Sequence, residues 1–206
     1  MAFVVRALRN WAGQGKQAKI LSDKQINAAL AAVERHRYPE RDRVMMLLSV
    51  RAGLRAKEIA LATWGMVTDA EGRLGDALHL PNKASKGRNG GRTIPLHKEL
   101  RAALVALKAT RNVDAKDRII HSERDLGMSP IAVQVWFHRH YQSLGFTGAS
   151  SHSGRRTFVT KLAQKIVEAG GSLRDVQELA GHASLSTTQR YIQGNTNAKR
   201  RAIALL

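Results

Sequence analysis

Four side chains in the last third of the chain are of types that suit chemistry on a phosphate group. His152 and Arg155 lie three residues apart, so a helix that begins here would place both on one face. His182 follows a glycine, and Tyr191 comes nine residues later. Arginine offers paired N–H donors that match phosphate oxygens, and histidine exchanges a proton near neutral pH. Together these residue types indicate a site that could cut and rejoin a phosphodiester.

A fifth candidate, Arg55, follows a predicted turn at Gly53 and precedes Glu58 by three residues. The start of a helix binds anions well, because its free N–H groups and its dipole point at the ligand. Each candidate also has an ordinary structural explanation. Arg55 could form a surface ion pair with Glu58, His182 could cap a helix, and Tyr191 could be a core aromatic. For a single residue the structural explanation is the commoner one, so the functional interpretation depends on the whole set.

The composition points to a polyanionic partner. The 206 residues include 34 Lys and Arg against 16 Asp and Glu, a formal net charge of +18, and basic side chains release counterions when they bind nucleic acid. The chain has no cysteine, which excludes disulfides, thiolate nucleophiles and cysteine-bound zinc. No apolar run approaches the ~20 residues that a membrane span needs. We therefore expect an intracellular, soluble protein that binds nucleic acid; a merely basic or ribosome-like protein is the alternative.

Three helices are predicted in the first third of the chain. Ser22 opens the first, because Ser22 and Gln25 fit a capping box. Pro39 begins the second at its first turn, and Gly53 ends it. Leu54 and Arg55 then lead into a third, short helix, so Arg55 is expected at a helix start.

Residues 64–96 change character, because glycines separate short apolar runs there. This pattern is typical of a small antiparallel sheet. The strands are predicted at residues 77–80 and 93–96. Between them lies a basic turn, predicted from Lys83 to Arg92.

The remaining chain is predicted to be mainly helical, with an extended link at residues 118–121. Residues 186–189 fit another capping box, which would place Tyr191 about one turn into a helix. The other predicted helices run from His97 to about Ala109, from Ser129-Pro130 through Tyr141, from about Gly154 to Glu168, and from Ser172 to Gly181.

The candidate residues occur in four short boxes whose order and spacing form a pattern. The chain resembles the tyrosine recombinase (phage integrase) family, and the resemblance covers Ile20 to Gly194. It implies a mainly α fold with a small antiparallel β-sheet, like the catalytic domain of that family. The boxes are Gly53-Leu54-Arg55 with Glu58, His152 with Arg155, Leu179-Ala180-Gly181-His182, and Thr187-Thr188-Gln189-Arg190-Tyr191.

The resemblance implies a role for each of five residues. Tyr191 would attack a DNA phosphate and form a 3′-phosphotyrosine, with His152 as the general base, because a phenol with a pKa of about 10 needs help to lose its proton. Arg55 and Arg155 would bind the non-bridging oxygens, and His182 would add a hydrogen bond to the same phosphate. Neither ATP nor a metal cofactor is implied, since the covalent link conserves bond energy and the arginines take the place of a metal.

In this family a lysine on a β-hairpin turn protonates the leaving 5′-oxygen. Here the turn offers Lys83 and Lys86. We choose Lys86, because it lies nearer the glycine turn and the following strand, and keep Lys83 as the alternative. A solvated basic loop without a chemical role is the structural explanation.

The resemblance also predicts the domain organisation and the departures from the family pattern. Residues 1–20 would be a basic lead-in, residues 21–194 the catalytic domain, and residues 195–206 a tail. The helix after Arg155 is expected to run about one turn longer than usual, and Arg156 stands where a second histidine is expected. The chain begins near the start of the catalytic domain, without the usual N-terminal DNA-clamp domain, so it would be a short family member similar to the invertases that flip fimbrial promoters, a fragment or a remnant. A single catalytic domain would hold DNA from one face only, so binding should be weaker and more salt-sensitive than with the clamp domain.

The partners that follow are double-stranded DNA and further copies of this chain, as a dimer to tetramer on DNA, and no membrane. In the tail, Ile203, Leu205 and Leu206 could anchor to a neighbouring protomer or dock on their own core. We expect a cytoplasmic, nucleoid-associated protein encoded by a bacterium, phage or mobile element. The expected function is site-specific DNA recombination; a non-catalytic DNA-binding regulator and a type IB topoisomerase are the alternatives.

Overall fold

The structure is a computed structural model that describes residues 18–81, 91–123 and 127–191, together with Ile203. Its elements follow local signals in the sequence, since serine or histidine side chains cap several helix starts and proline occupies two first turns. In chain order the helices are α1 (Asp23–Val33), α2 (Pro39–Val50), α3 (Ala56–Leu61), α4 (Lys98–Ala109), α5 (Pro130–Ser143), α6 (Ser153–Lys165), α7 (Leu173–Ala180) and α8 (Leu185–Gln189).

A two-stranded antiparallel sheet lies between α3 and α4. Strands β1 (Ala77–Leu80) and β2 (Arg92–Pro95) pair with Leu78 opposite Ile94. Leu78, Leu80 and Ile94 are buried, and the residues between them face outward, as the period of a strand requires. The predicted sheet is therefore confirmed. Residues 83–90 of the predicted turn, with Lys83 and Lys86, lie outside the described residues, whereas Arg92 belongs to β2, which begins one residue before the predicted strand.

Helix α2 is the centre of the main core. The five residues from Val44 to Leu48 are all 0% exposed, so the second half of this helix is apolar around its whole circumference, which is the pattern of a helix covered on every side. It packs against α1, α4 and α6, while α3 packs against α5. The C-terminal end of α2 therefore places Gly53 and Arg55 beside the first turn of α6.

A smaller apolar cluster holds the last part of the described chain. Val159 of α6 packs against Val176 and Ala180 of α7, and Tyr191 joins this cluster at its edge. It forms a group separate from the main core. The positions of the site residues after residue 150 thus depend on both the main core and this smaller cluster.

Two predicted helix boundaries are wrong. Helix α6 ends at Lys165 rather than Glu168, because turns that lead to Gly170, at φ 80°, take over from Ile166. Helix α8 begins after Ser184 rather than Ser186, so Tyr191 lies just past its end and not one turn inside a helix. The left-handed Gly181 ends α7, and a four-residue connection, residues 181–184, leads to the earlier start of α8.

In the tail, Ile203 is helical and 70% exposed, whereas Leu205 and Leu206 lie outside the described residues. Over the part of the chain that is described, no helix has both the length and the apolar character to cross a bilayer.

Candidate active site

A cavity of about 320 Å³ brings together the five candidate residues that the structure describes. They come from three separate parts of the chain: the turn after α2, the start of α6, and the segment from the end of α7 to residue 191. Lys83 and Lys86 are not among the described residues. The lining residues are Ala18, Arg55, His152, Arg155, Arg156, His182, Thr187, Arg190 and Tyr191.

Arg155 is the most deeply placed cation of the cavity. Its side chain is 5% exposed, and its guanidinium donates to the carbonyl oxygen of Gly53 at 2.7 Å and to that of Ala180 at 2.6 Å. The first carbonyl lies in the turn after α2 and the second belongs to the last residue of α7, so the arginine links the site's separate parts. Burial, followed by the charge of Arg55, lowers the pKa of Arg155 to about 9, which leaves the group protonated at neutral pH.

Arg55 lies at the start of α3 and binds a buried carboxylate, that of Glu58. Glu58 is 1% exposed and accepts from the backbone N–H of Arg55 at 2.8 Å and from its Nη1 at 2.9 Å. Burial tends to raise the pKa of Glu58, but hydrogen bonds and charge from Arg92 and Arg55 outweigh it and keep the pKa below its usual value. Arg55 and Glu58 thus form a pair, but the carboxylate is in the interior and not on the surface.

His152 lies directly before the first turn of α6, at the exposed edge of the cavity. Partial loss of water around the ring, with the charges of Arg155 and Arg55, lowers its pKa from the ordinary value. Helix α6 can start this close to α2 because residue 154 is glycine: a Cβ there would lie 2.1 Å from the Oγ of Ser49. His152 and Arg155 are therefore held at one edge of the cavity by a tight helix contact.

His182 and Tyr191 form a stacked pair. Their ring centroids are 5.5 Å apart and the ring planes differ by 20°. The Nδ1 of His182 lies 2.9 Å from the hydroxyl of Thr188, and burial together with Arg155, Arg55 and Arg92 lowers the pKa of His182 to about 4. The ring of His182 is therefore neutral at pH 7 and is bound to Thr188, so its side chain does not cap α7; Gly181 does.

Three further contacts were not predicted from the sequence. Arg92 binds both oxygens of Glu58, Thr188 fixes the ring of His182, and Arg156 donates to the carbonyl oxygen of Ala18 at the cavity wall. The pair Thr187-Thr188 belongs to the fourth box, but the sequence does not show which of the two threonines faces His182. Arg92 follows the glycines of the predicted turn, so the sequence suggests only another basic loop residue there.

The cavity is strongly electropositive. Arg55, Arg155, Arg156 and Arg190 line it, and no carboxylate belongs to the lining among the described residues. Several fixed guanidinium groups around one space suit a phosphodiester, whose negative charge grows in the transition state of displacement at phosphorus. A phenol and two imidazoles beside them are groups that could act as a nucleophile and in proton transfer.

Known proteins resemble this chain in sequence and in fold. The model of the phage integrase family matches residues 19–198. A tyrosine recombinase XerD from Xanthomonas axonopodis pv. citri is 33% identical over 187 residues, which cover 84% of this chain and 57% of the relative. The chain spans a little over half the length of this and the next two curated relatives, at 57%, 54% and 61%.

Two solved structures have the same fold. The Tn1549 transposon integrase, in complex with a circular intermediate DNA, gives a TM-score of 0.70 at 17% identity and covers 93% of this chain and 66% of that one. The crystal structure of a XerA recombinase gives 0.70 at 19% identity, with the same coverage of 93% and 66%. With the family model matched from residue 19 to residue 198 and the boxes gathered around one cavity, this chain belongs to the phage integrase family of tyrosine recombinases.

Proposed function

We propose that this protein cuts and rejoins double-stranded DNA at specific sites through a 3′-phosphotyrosine intermediate. The observation that carries the proposal is that Tyr191 shares one cavity with two guanidinium groups from distant parts of the chain, Arg55 and Arg155. The relatives are tyrosine recombinases, and the Tn1549 integrase was solved on DNA. A phosphodiester is the one common group on DNA that such a cluster suits.

In the cleavage step, the hydroxyl oxygen of Tyr191 attacks the phosphorus and the bond from phosphorus to the 5′-oxygen breaks. The phenol proton passes to His152, which is neutral at pH 7 because its pKa is lowered. The 5′-oxygen takes a proton from Lys86, with Lys83 as the alternative donor, and leaves as a hydroxyl. A 5′-hydroxyl of the same or another strand reverses these steps, so nothing is oxidised and no energy carrier is consumed.

Arg55 and Arg155 neutralise the two non-bridging oxygens during both steps. Arg155 is fixed by two backbone carbonyls, so it needs little rearrangement when charge builds on the phosphate. For His182 to donate from Nε2 to the phosphate, its Nδ1 must accept the hydroxyl hydrogen of Thr188. The 2.9 Å contact between those two atoms permits that tautomer.

The proposed partners are double-stranded DNA and further copies of the chain. Strand exchange joins two duplexes, so at least two active subunits must meet on DNA, and we propose a dimer to tetramer. The formal charge of +18 supports binding to the DNA backbone.

The test uses a pool of random-sequence duplexes that carry a nick, because a nick lets a short fragment leave after cleavage and prevents rejoining. The wild-type chain should form a denaturant-resistant adduct with members of the pool, and Tyr191→Phe should form none while its DNA affinity stays within a few-fold. An adduct on the Phe variant would refute Tyr191 as nucleophile. DNA binding without any wild-type adduct would favour a regulator, and relaxation of supercoiled plasmid by monomers would favour a topoisomerase.

A further inference from the structure

The buried carboxylate of Glu58, next to the cavity, accepts as many hydrogen bonds as its two oxygens can. Arg92 donates from Nη1 to Oε1 of Glu58 and from Nη2 to Oε2, both at 2.9 Å. Arg55 supplies the other two donors, its backbone N–H to Oε2 and its Nη1 to Oε1. Each oxygen therefore accepts two hydrogen bonds, which is the full capacity of a carboxylate.

Arg92 also touches the other side of the site. Its side chain is 8% exposed and lies at the first position of β2, against the turn that ends α7. A Cβ on Gly181 would be 2.7 Å from Nη1 of Arg92, so the turn before His182 packs directly on this guanidinium. The side chain of Arg92 thus contacts both Glu58, the partner of Arg55, and the turn that leads to His182.

This arrangement limits how Arg55 can pair with Glu58. Because Arg92 occupies one site on each oxygen, the guanidinium of Arg55 makes a single hydrogen bond to the carboxylate, from Nη1. Its side chain is still 27% exposed and lines the cavity. Without Arg92, a buried carboxylate would lack two charged donors and would draw the fork of Arg55 into a two-pronged pair.

We propose that Arg92 is a positioning residue for Arg55: it saturates Glu58 so that the Arg55 guanidinium keeps donors for the phosphate in the cavity. The inference rests on the proposed function, and it assigns the role to Arg92 through Arg55 rather than by contact with DNA. If the ion pair of Arg92 with Glu58 only stabilised the fold, its loss would lower DNA binding and cleavage alike.

The test is a double-mutant cycle on the rate constant of adduct formation at saturating nicked DNA. Arg92→Gln should slow cleavage by about 10- to 100-fold while DNA affinity changes by only a few-fold, and Arg55→Ala should slow it at least as much. The double variant should be no slower than Arg55→Ala alone, because Arg92 has nothing left to position. Effects that multiply, or an unchanged rate for Arg92→Gln, would overturn the proposal.

Two variants separate geometry from charge and folding. Arg92→Lys keeps the charge but not the two-pronged fork, so it should also slow cleavage. Should Arg92→Gln fail to fold in thermal unfolding, the same cycle is run with the Lys variant, which leaves the carboxylate with a charged partner. The matched control is Arg51→Gln, which removes another Arg–Glu pair, 2.7 Å to Glu99 and outside the cavity lining, and should leave the rate constant unchanged.

A second arm needs no chemistry on DNA. Inorganic phosphate is titrated into the full chain and followed by the shift of the thermal midpoint; Arg92→Gln and Arg55→Ala should each weaken binding, again without adding up. If this pattern holds but the wild type forms no adduct, the proposed function fails and the role of Arg92 stands. If adducts form and the two effects add in both arms, only the role of Arg92 fails. If the wild type neither forms an adduct nor binds phosphate, both are refuted.

Discussion

The two histidines of the cavity are both kept neutral by their surroundings. Loss of water and the charges of Arg155 and Arg55 lower the pKa of His152, and for His182 the same causes, with Arg92 added, bring the pKa to about 4. A neutral His152 can accept a proton at pH 7, as a general base must. A neutral His182 adds no further positive charge to a cavity already lined by four arginines.

The lowered pKa of His182 predicts a loss of stability in mild acid. The unfolded chain protonates this histidine near 6.5, whereas the folded chain does so only near pH 4. Between these values the unfolded state holds more protons, so the free energy of unfolding falls as the pH drops from about 6.5 to 4. His182→Gln should show a shallower fall than the wild type when thermal unfolding is followed across this range. Parallel curves for the two proteins would contradict the assignment.

The identity of the acid can be tested by the leaving group. If Lys86 protonates the 5′-oxygen, Lys86→Ala should slow cleavage of ordinary DNA by about 100-fold, within the usual range for a general acid. It should slow cleavage of DNA with a 5′-thiolate leaving group far less, because a thiolate leaves without a proton. Cleavage assays on both substrates decide the matter. Equal slowing of the two would exclude Lys86, and Lys83→Ala would then be expected to show the difference.

The five described site residues could be predicted from residue type and order, because their chemistry limits which side chains can serve. Their supporting residues could not. Arg92 and Thr188 contact Glu58 and His182 because of the direction in which their side chains point. That direction depends on how β2 and α8 pack. The structural alternative, a pair of Arg55 with Glu58, exists but is not on the surface, because a spacing of three residues does not show whether a carboxylate is buried.

At the level of elements, one glycine turn connects the main core to the site. Gly53 has a φ of 65°, in the left-handed region, and its carbonyl oxygen accepts from Arg155. A Cβ at this position would lie 2.3 Å from Cδ1 of Phe158. The turn between α2 and α3 therefore needs glycine for both its conformation and its space.

Gly53→Ala should lower both stability and cleavage. The strained backbone alone should cost about 1–3 kcal/mol in the free energy of unfolding, and displacement of the Phe158 ring should add to it. Gly72→Ala is the matched control, since φ is 75° there and nothing lies within 4 Å of the added carbon. Urea unfolding of both variants should show a larger loss for Gly53→Ala, with slower adduct formation only in that variant. Equal losses would mean that the contact with Phe158 does not matter.

Most helix starts were predictable, because capping residues act within one turn. Ser22 and Ser172 cap as expected, and Pro39 and Pro130 occupy first turns. The two errors concern ends that depend on neighbours. Residues 166–168 keep a helical spacing but form turns, and the start of α8 is set by the connection from α7 rather than by its own box.

For the whole molecule, the excess of basic residues and the arginine-lined cavity point to the same ligand. The net charge of +18 predicts strong attraction to the DNA backbone. The fold class was predictable because the boxes identify a family. The composition alone favoured nucleic acid but carried no information on the fold.

DNA affinity should therefore fall steeply with salt. A plot of the logarithm of the association constant against that of the salt concentration should have a slope of about −5 or steeper, since each neutralised phosphate contributes about 0.9. Arg190→Gln should reduce the slope by about 1. Arg73→Gln should leave it unchanged, because that guanidinium pairs with Asp69 at 2.9 Å. A wild-type slope near −1 would contradict an interface dominated by backbone charge.

The small apolar cluster of Val159, Val176 and Ala180 has a consequence for control of the reaction. Tyr191 rests on this minor cluster and on the ring of His182, not on the large core around α2. We therefore expect that Tyr191 can move with a smaller loss of folding free energy than a residue of the large core. A neighbouring subunit that pressed on α7 or α8 could switch the tyrosine on or off while the arginine cradle stayed in place.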